Sequence, residues 1–331
     1  MMLRRRGEGR TVAAPEAAAA ASTAMNFPPQ KSDSILVTGG EGFIGQQVRR
    51  ALAAAGTSVV SVDCKSAGPS RGEQCYECDI RDGARITEIF ASHKIAGIIH
   101  LASLLRTASE RNPLAATQVN IVGSLNILEA ARAFKAQRVV YASSASVYGT
   151  RDAADKDREG DVTAPEDVYG GTKKYVEMLG ETYRRAYGIE FIVLRVPIVV
   201  GPGAMNTASP WRSELFALAD NNDPRTISMP FQESETISLV HVEDLAQQFA
   251  TLIHADHPSF SVYNAACEVW TLRELKKELQ TLNENLSVNC GSAAISGFAR
   301  VIDAERFKAE FNYSPIALKD RLRAAFRAQS N

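Results

Sequence analysis

The sequence predicts an α/β protein: a doubly wound parallel sheet followed by a smaller mixed α/β lobe. Three observations carry that prediction. From Ser34 onward, short apolar runs rich in β-branched residues alternate with amphipathic helical patterns, as a sheet covered on both faces requires. The first run turns through Gly39, Gly42 and Gly45, at three-residue spacing, into a helical pattern. The second run is followed at once by an acid, Asp63, eighteen residues after the last of those glycines.

The elements follow in order. Ser34 to Thr38 is a buried-strand pattern, Phe43 to Ala55 an amphipathic helix, and Thr57 to Val62 the second strand. A third strand is expected over Glu73 to Cys78. Cys75 and Cys78 form a C-x-x-C there, but no second pair or histidine cluster accompanies them, so they read as strand residues. Helix Asp82 to Ser92, strand Gly97 to Leu101, helix Pro113 to Ala133, strand Arg138 to Ala142, helix Pro165 to Tyr187 and a sixth strand, Glu190 to Leu194, complete the alternation. Beyond Gly201 the character changes. The segment to Glu235 is rich in Pro, Asn, Asp and Ser, with one helix expected over Pro210 to Ala219. Strands Thr236 to His241 and Ser261 to Tyr263 then mix with helices Val242 to His254, Leu272 to Leu282 and Pro315 to Ala328. The expected division is a tail over 1–33, a dinucleotide-binding domain over 34–200, and a substrate lobe over 201–331 interleaved with it. Arg4, Arg5, Arg6 and Arg10 in the tail would suit an organelle transit peptide, against which Glu8 and Glu16 weigh. A disordered tail, or translation starting at Met25, is the simpler expectation.

Composition narrows the class. With 37 basic and 38 acidic residues the net charge is −1, which gives no footprint for nucleic acid or an anionic membrane. The apolar stretch Phe191 to Val200 is strand-length and interrupted by Arg195 and Pro197, too short to span a bilayer. Five cysteines make no disulfide framework, so a reducing, cytoplasmic setting is expected. His254 and His257 lack a carboxylate cluster, and no metal is expected; His100, ending a strand, reads as a satisfied core histidine.

The glycine turn carries the first piece of chemistry. A strand that enters a helix through glycines presents unpaired backbone N–H groups and the positive end of the helix dipole to a pyrophosphate. An acid ending the next strand accepts hydrogen bonds from a ribose 2′-hydroxyl and repels a 2′-phosphate, so Asp63 favours NAD over NADP. The second piece is Tyr169 and Lys173, four apart at a helix start and therefore on one face. A phenol near pKa 10 is a poor base at neutral pH, and a neighbouring ammonium would lower it. Ser144, just past the fifth strand, supplies a hydroxyl to polarise a carbonyl or hold an alcohol, with Ser143 and Ser146 as competing candidates. Arg106, in the loop after the fourth strand, is a candidate for a substrate carboxylate, and Met205 and Trp211 are candidates for lining the pocket.

These motifs resemble those of the extended short-chain dehydrogenase/reductase superfamily, the NAD-dependent epimerase/dehydratase group. The resemblance rests on Thr38 to Gly45, Asp63, Asp79-Ile80, His100 to Ser103, Asn120, Ser143 to Gly149, and Tyr169 with Lys173, and it weakens into Val240 to Asp244. It implies Tyr169 as acid/base, Lys173 binding the nicotinamide ribose and lowering the phenol's pKa, and Ser144 on the reacting oxygen. It further implies Gly39, Gly42, Phe43, Ile44 and Gly45 around the pyrophosphate, Asp63 on the adenosine ribose, and Asp79 and Ile80 beside the adenine. Leu101, Ala102 and Ser103 would line the cofactor, Asn120 would steady the central helix, and Pro197 and Ile198 would lie near the nicotinamide.

Departures from the pattern matter as much. The nucleotide-sugar branch grips its substrate diphosphate with an asparagine after the sixth-strand arginine and an arginine before the V-x-D segment; here those positions read Ile198 and Ile237. Unless Arg212 or Arg225 reaches round from the loop, no clamp remains. Ala145 and Ser146 stand where sugar dehydratases carry an acidic pair. The leading expectation is therefore an NAD-dependent oxidoreductase acting on a secondary alcohol or ketone of a small polyhydroxylated substrate, a sugar or sugar acid. The alternatives are an epimerase that retains its ketone intermediate and a dinucleotide-binding protein without catalysis. A homodimer through helices 113–133 and 165–187 is expected, with Val176, Leu179 and Tyr183 either on its apolar face or in the core.

Overall fold

The computed structural model describes residues 33–65, 73–151, 156–204, 209–217 and 226–329. The N-terminal tail up to residue 32, Met205, and the end of the expected helix 210–219 lie outside them.

Among the described residues the central sheet has seven strands, all parallel, in the order β10-β6-β5-β4-β1-β2-β3. They are β1 Ser34–Thr38, β2 Ser58–Asp63, β3 Gln74–Glu77, β4 Ile95–His100, β5 Arg138–Ser144, β6 Glu190–Val196 and, from the C-terminal part, β10 Val262–Asn264. Every residue of β4 and β5 is buried, which explains why these strands read as continuous apolar runs rather than alternating ones. Two hydrophobic clusters flank the sheet. One gathers Val48, Leu52, Leu245, Phe249 and Ile253 from helices Phe43–Ala54 and Val242–His254. The other gathers Ile86, Ile89, Ile127, Val176 and Tyr183 from helices Gly83–Ser92, Ser124–Ala133 and Val168–Tyr187. Each large aliphatic side chain so covered contributes about 1.5–3 kcal/mol. This is the doubly wound α/β class that the alternation predicts.

Two differences from expectation have local causes. The helix expected over 113–133 is three pieces: a short turn Pro113–Ala116, a π-helical stretch Thr117–Gly123 and a regular helix Ser124–Ala133. The wider π turn carries Asn120, whose side chain accepts from the Leu104 N–H (2.7 Å) and donates to the Leu104 carbonyl (3.1 Å) and Thr172 (3.0 Å). The catalytic-helix candidate starts at Val168 rather than Pro165, because the Asp167 carboxylate caps it through the Gly170 N–H at 2.6 Å.

The C-terminal part is knitted to the sheet by β10, which pairs with β6. Its own strands are β7 Ile198–Val200, β9 Thr236–His241 and β11 Glu268–Thr271 in one small sheet, and β8 Thr226–Phe231 with β12 Ser287–Ala293 in another. A third cluster, including Trp211, Leu215, Ile237 and Leu275, fills this lobe. Among the described residues no helix is long and apolar enough to cross a membrane, and no group of His, Cys, Asp and Glu could hold a metal ion.

Candidate active site

Strand register decides what meets at the carboxyl edge of the sheet. Thr38 pairs with His100, and Ser144 with Val196, so the residues following β1, β4, β5 and β6 emerge side by side. At this edge of doubly wound sheets ligands bind. The edge gathers Gly39, the Leu101–Ser103 turn, Ser144 and Pro197.

The glycine turn is a tight cradle. Gly39 adopts φ +70°, and a Cβ there would lie 2.9 Å from the Ala102 nitrogen. A Cβ on Gly45 would sit 2.1 Å from the Gly39 carbonyl oxygen, and one on Gly42 3.1 Å from the same atom. Gly42 caps helix Phe43–Ala54 without any side-chain hydrogen bond, and no acid occupies the first turn. The N–H groups at Phe43 and Ile44 therefore begin a helix whose positive end is unscreened. The Asp63 carboxylate, ending β2, accepts from the Glu41 N–H and the Lys65 N–H, both at 3.0 Å, and so faces the turn. Beyond it a pocket of about 460 Å³ is lined by Asp79, Arg81, Asp82, Gln118 and Val122. Arg81 forks onto Asp79, which holds that carboxylate below its usual range, while Ile80 is buried beneath. The turn, the Asp63 carboxylate and this pocket are the candidates for holding the pyrophosphate, the adenosine ribose and the adenine.

The second half of the edge holds Ser144, Tyr169 and Lys173, the candidate reacting groups. Ser144 Oγ accepts from the Ser146 N–H at 3.1 Å and donates to Ser146 Oγ at 3.2 Å. Helix Val168–Tyr187 closes on this turn because residue 170 is glycine: a Cβ would lie 2.6 Å from the Ser146 carbonyl oxygen. Tyr169 is thereby held against Ser144. Desolvation pushes its phenol up to about 12, opposed by the hydrogen bond with Ser144 and the positive charge of Arg212. The Lys173 ammonium donates to the Ala142 carbonyl at 2.8 Å and lies 5.6 Å from the Tyr169 ring and 4.9 Å from that of Tyr141. Burial brings its own pKa down to about 7. Beside Lys173, the hydrogen bond with Ser144 and the charge of Arg212 favour the phenolate, against the burial that raises it.

Other candidates fall elsewhere. Ser143 lies on the far side, donating to Glu177 inside a buried ion pair with Arg195. Arg106 is engaged: Nε lies 2.7 Å from Asp167 and Nη1 donates to the Ser296 carbonyl at 2.8 Å. Trp211 is packed in the lobe core, 2% exposed. Ile198 is half-buried on β7, and Ile237 is fully buried in the lobe core, so the latter position offers nothing to a ligand. His100 is a core residue bonded to Thr38 and Ser124, with burial lowering its pKa to about 3. The Asp167 cap and the closeness of Arg212 to Tyr169 were not singled out from sequence. An Asp two residues before the tyrosine is a signal for the first; nothing local signals the second.

The fold and its glycine turn are those of an NAD-binding protein of the extended short-chain dehydrogenase/reductase type. A sequence profile of the NAD dependent epimerase/dehydratase family matches residues 35–266, and the chain belongs to that family. A UDP-glucuronate 4-epimerase of Thermodesulfobacterium geofontis is 33% identical over 193 residues, covering 54% of this chain and 59% of that protein. A UDP-glucose 4-epimerase of Lacticaseibacillus casei is 32% identical over 173 residues, covering 51% and 52%. The chain thus matches little more than half the length of these curated relatives. Among solved structures, an L-threonine dehydrogenase of Phytophthora infestans superposes with TM-score 0.81 at 25% identity, covering 90% of this chain and all of that one. A UDP-glucose 4-epimerase of Thermotoga maritima, solved with UDP-glucose, superposes with TM-score 0.79 at 25% identity and the same coverage.

Proposed function

We propose that the protein is an NAD-dependent oxidoreductase that interconverts a secondary alcohol and a ketone on a small substrate lacking a nucleotide. The observation that carries this reading is the convergence of Ser144, Tyr169 and Lys173 on the sheet edge that also bears the glycine cradle. The cradle and the Asp63 carboxylate fit NAD. Gly39 to Gly45 would hold the pyrophosphate and Asp63 the adenosine ribose; when bound, NAD supplies the acceptor or donor of a hydride. Ser144 orients the substrate oxygen by hydrogen bonding. Tyr169 takes the hydroxyl proton in oxidation and returns it in reduction, and Lys173, anchored on Ala142, fixes the floor beneath the phenol. At neutral pH a phenol held near 12 keeps its proton, which suits donation to a ketone oxygen.

The absence of a nucleotide handle is supported by Ile198 and the buried Ile237, which replace polar grips with apolar side chains. A sugar epimerase is the second reading, favoured by the UDP-sugar 4-epimerases among the relatives. The two separate in one experiment: the protein is incubated with NAD+ and a panel of sugars, sugar acids and hydroxy acids, or with UDP-sugars. NADH accumulation with a free small substrate supports the first; C4 inversion of a UDP-sugar without NADH release would overturn it.

A homodimer is part of the proposal, with a revised face. Val176 and Tyr183 are core residues, and Leu179 packs against them. Tyr175, Met178 and Tyr187 on the same helix, with Leu114, are exposed apolar residues that a second copy would cover. A single-chain mass by light scattering would remove this part.

A further inference from the structure

Resting on the oxidoreductase reading, we infer that Arg212 receives the carboxylate of an anionic substrate, so that the substrate is a hydroxy acid of the aldonic or β-hydroxy amino acid kind. Arg212 sits just past β7 and is pinned there by its backbone. Its carbonyl accepts from the Gly201 N–H at 3.0 Å, and the neighbouring Ser213 hydroxyl bridges the Gly201 carbonyl and the Ala204 N–H, both at 2.7 Å. The guanidinium is partly buried, and its one polar contact is a marginal bond from Nε to the Ser209 carbonyl at 3.4 Å. Among the described residues no carboxylate lies within ion-pair distance of it.

That is unusual within this molecule. The buried Arg49, Arg138 and Arg195 each face a glutamate, and the half-buried Arg151, Arg300, Arg306 and Arg321 each lie beside an acid. A desolvated guanidinium without a counter-ion is costly, and a bound anion relieves that cost. The turn at Gly201 that pins Arg212 follows directly from the sheet edge through Pro197 and β7, and the Arg212 charge is felt at the Tyr169 phenol. An anion seated on Arg212 therefore places the rest of a small molecule beside Ser144 and Tyr169.

The chemistry of the anion follows from the donors. One planar fork matches one carboxylate, held by two parallel bonds. A diphosphate needs more donors than this, and the places that would supply them carry Ile198 and Ile237. Arg106, the sequence-based candidate for the same task, already holds Asp167.

The test uses matched pairs that differ at one carbon: four- to six-carbon aldonic acids, each against the alditol with a hydroxymethyl in place of the carboxylate, and L-threonine against its amide. Binding is read from the fluorescence of NADH held by the full chain, which needs no turnover. The expected result is that at least one acid binds tenfold or more tightly than its neutral partner. Arg212→Met should weaken that acid on the order of a hundredfold and leave NADH affinity unchanged, while Arg212→Lys, which keeps the charge and loses the fork, falls between. Neutral partners binding as well as acids, no acid binding at all, or an undiminished preference in a folded Arg212→Met protein would each overturn the inference. Acid binding through Arg212 without NAD+ reduction by any acid would leave it standing and remove the oxidoreductase reading instead.

Discussion

Gly45 offers a severe test of the cradle. A methyl group at this position would lie 2.1 Å from the Gly39 carbonyl oxygen, 2.7 Å from the Gly40 Cα and 2.9 Å from the Gly39 carbonyl carbon, where ordinary contact begins near 3.4 Å. All three atoms are backbone, so no side chain can swing away, and in Gly45→Ala the turn must retreat by more than an ångström. A backbone N–H displaced that far no longer bonds a pyrophosphate oxygen. A hydrogen bond to a charged group is worth about 1.5–3 kcal/mol, so NADH affinity should fall by about 10- to 150-fold for each bond lost. Gly42→Ala makes a graded companion, because its methyl would meet the Gly39 oxygen at 3.1 Å, a distance that a few tenths of an ångström relieves; its loss should be several-fold at most. Fluorescence titration with NADH, beside circular dichroism to verify folding, measures both. A folded Gly45→Ala protein that binds NADH as tightly as the parent would refute the assignment of this turn to the dinucleotide.

Three further outcomes are expected. Tyr169→Phe should lower turnover by about 10²–10⁴-fold while NADH binding stays within twofold, and the parent's oxidative rate should climb between pH 7 and 10 as the phenol, held near 12, yields more base. Lys173, with a native pKa of about 7 against roughly 10.4 in an unfolded chain, binds its proton more weakly when folded. Its burial cost is thus full below pH 7 and is relieved as pH rises towards 10.4, adding about 2 kcal/mol of stability from pH 7 to 9, a gain that urea titrations of Lys173→Met should lack. Glu177→Gln removes the one carboxylate bonded to the buried Arg195 side chain among the described residues and should cost about 3 kcal/mol or more by urea denaturation, with substrate affinity little changed if the pair is structural.

The sequence reading went furthest where local pattern and tertiary role coincide. Strands β1, β2, β4, β5 and β6 were legible because buried parallel strands are largely apolar, and the glycine turn because only glycine fits its backbone approaches. The helix Val242–His254 was read to the residue, since its amphipathic stripe begins at a strand end capped by His241. Strands β8, β11 and β12 were missed: they are short or half-exposed, and β8 and β12 pair across some sixty residues of chain. In the site, the Tyr169–Lys173 spacing was visible but its electrostatics were not. Whether Lys173 is charged depends on burial beneath Tyr141 and on the Ala142 carbonyl, neither of which a four-residue spacing reveals. Arg106 and Arg212 look interchangeable in sequence; only the fold gives one an aspartate and, among the described residues, leaves the other without an acid.

The grip of Arg106 has a consequence for anyone recombining this enzyme with its relatives. One guanidinium holds both the cap of the helix that carries the phenol and a carbonyl at Ser296 in the distant loop, while the neighbouring Gly297 N–H donates to Thr150 and the Ala299 N–H to the Ala145 carbonyl. The helix that carries Tyr169 is thus aligned by both halves of the chain at once. A chimera cut near residue 201 would exchange the loop 295–300 without its receptors, and would misalign Tyr169 even with every motif residue intact; these contacts have to be inherited as a set.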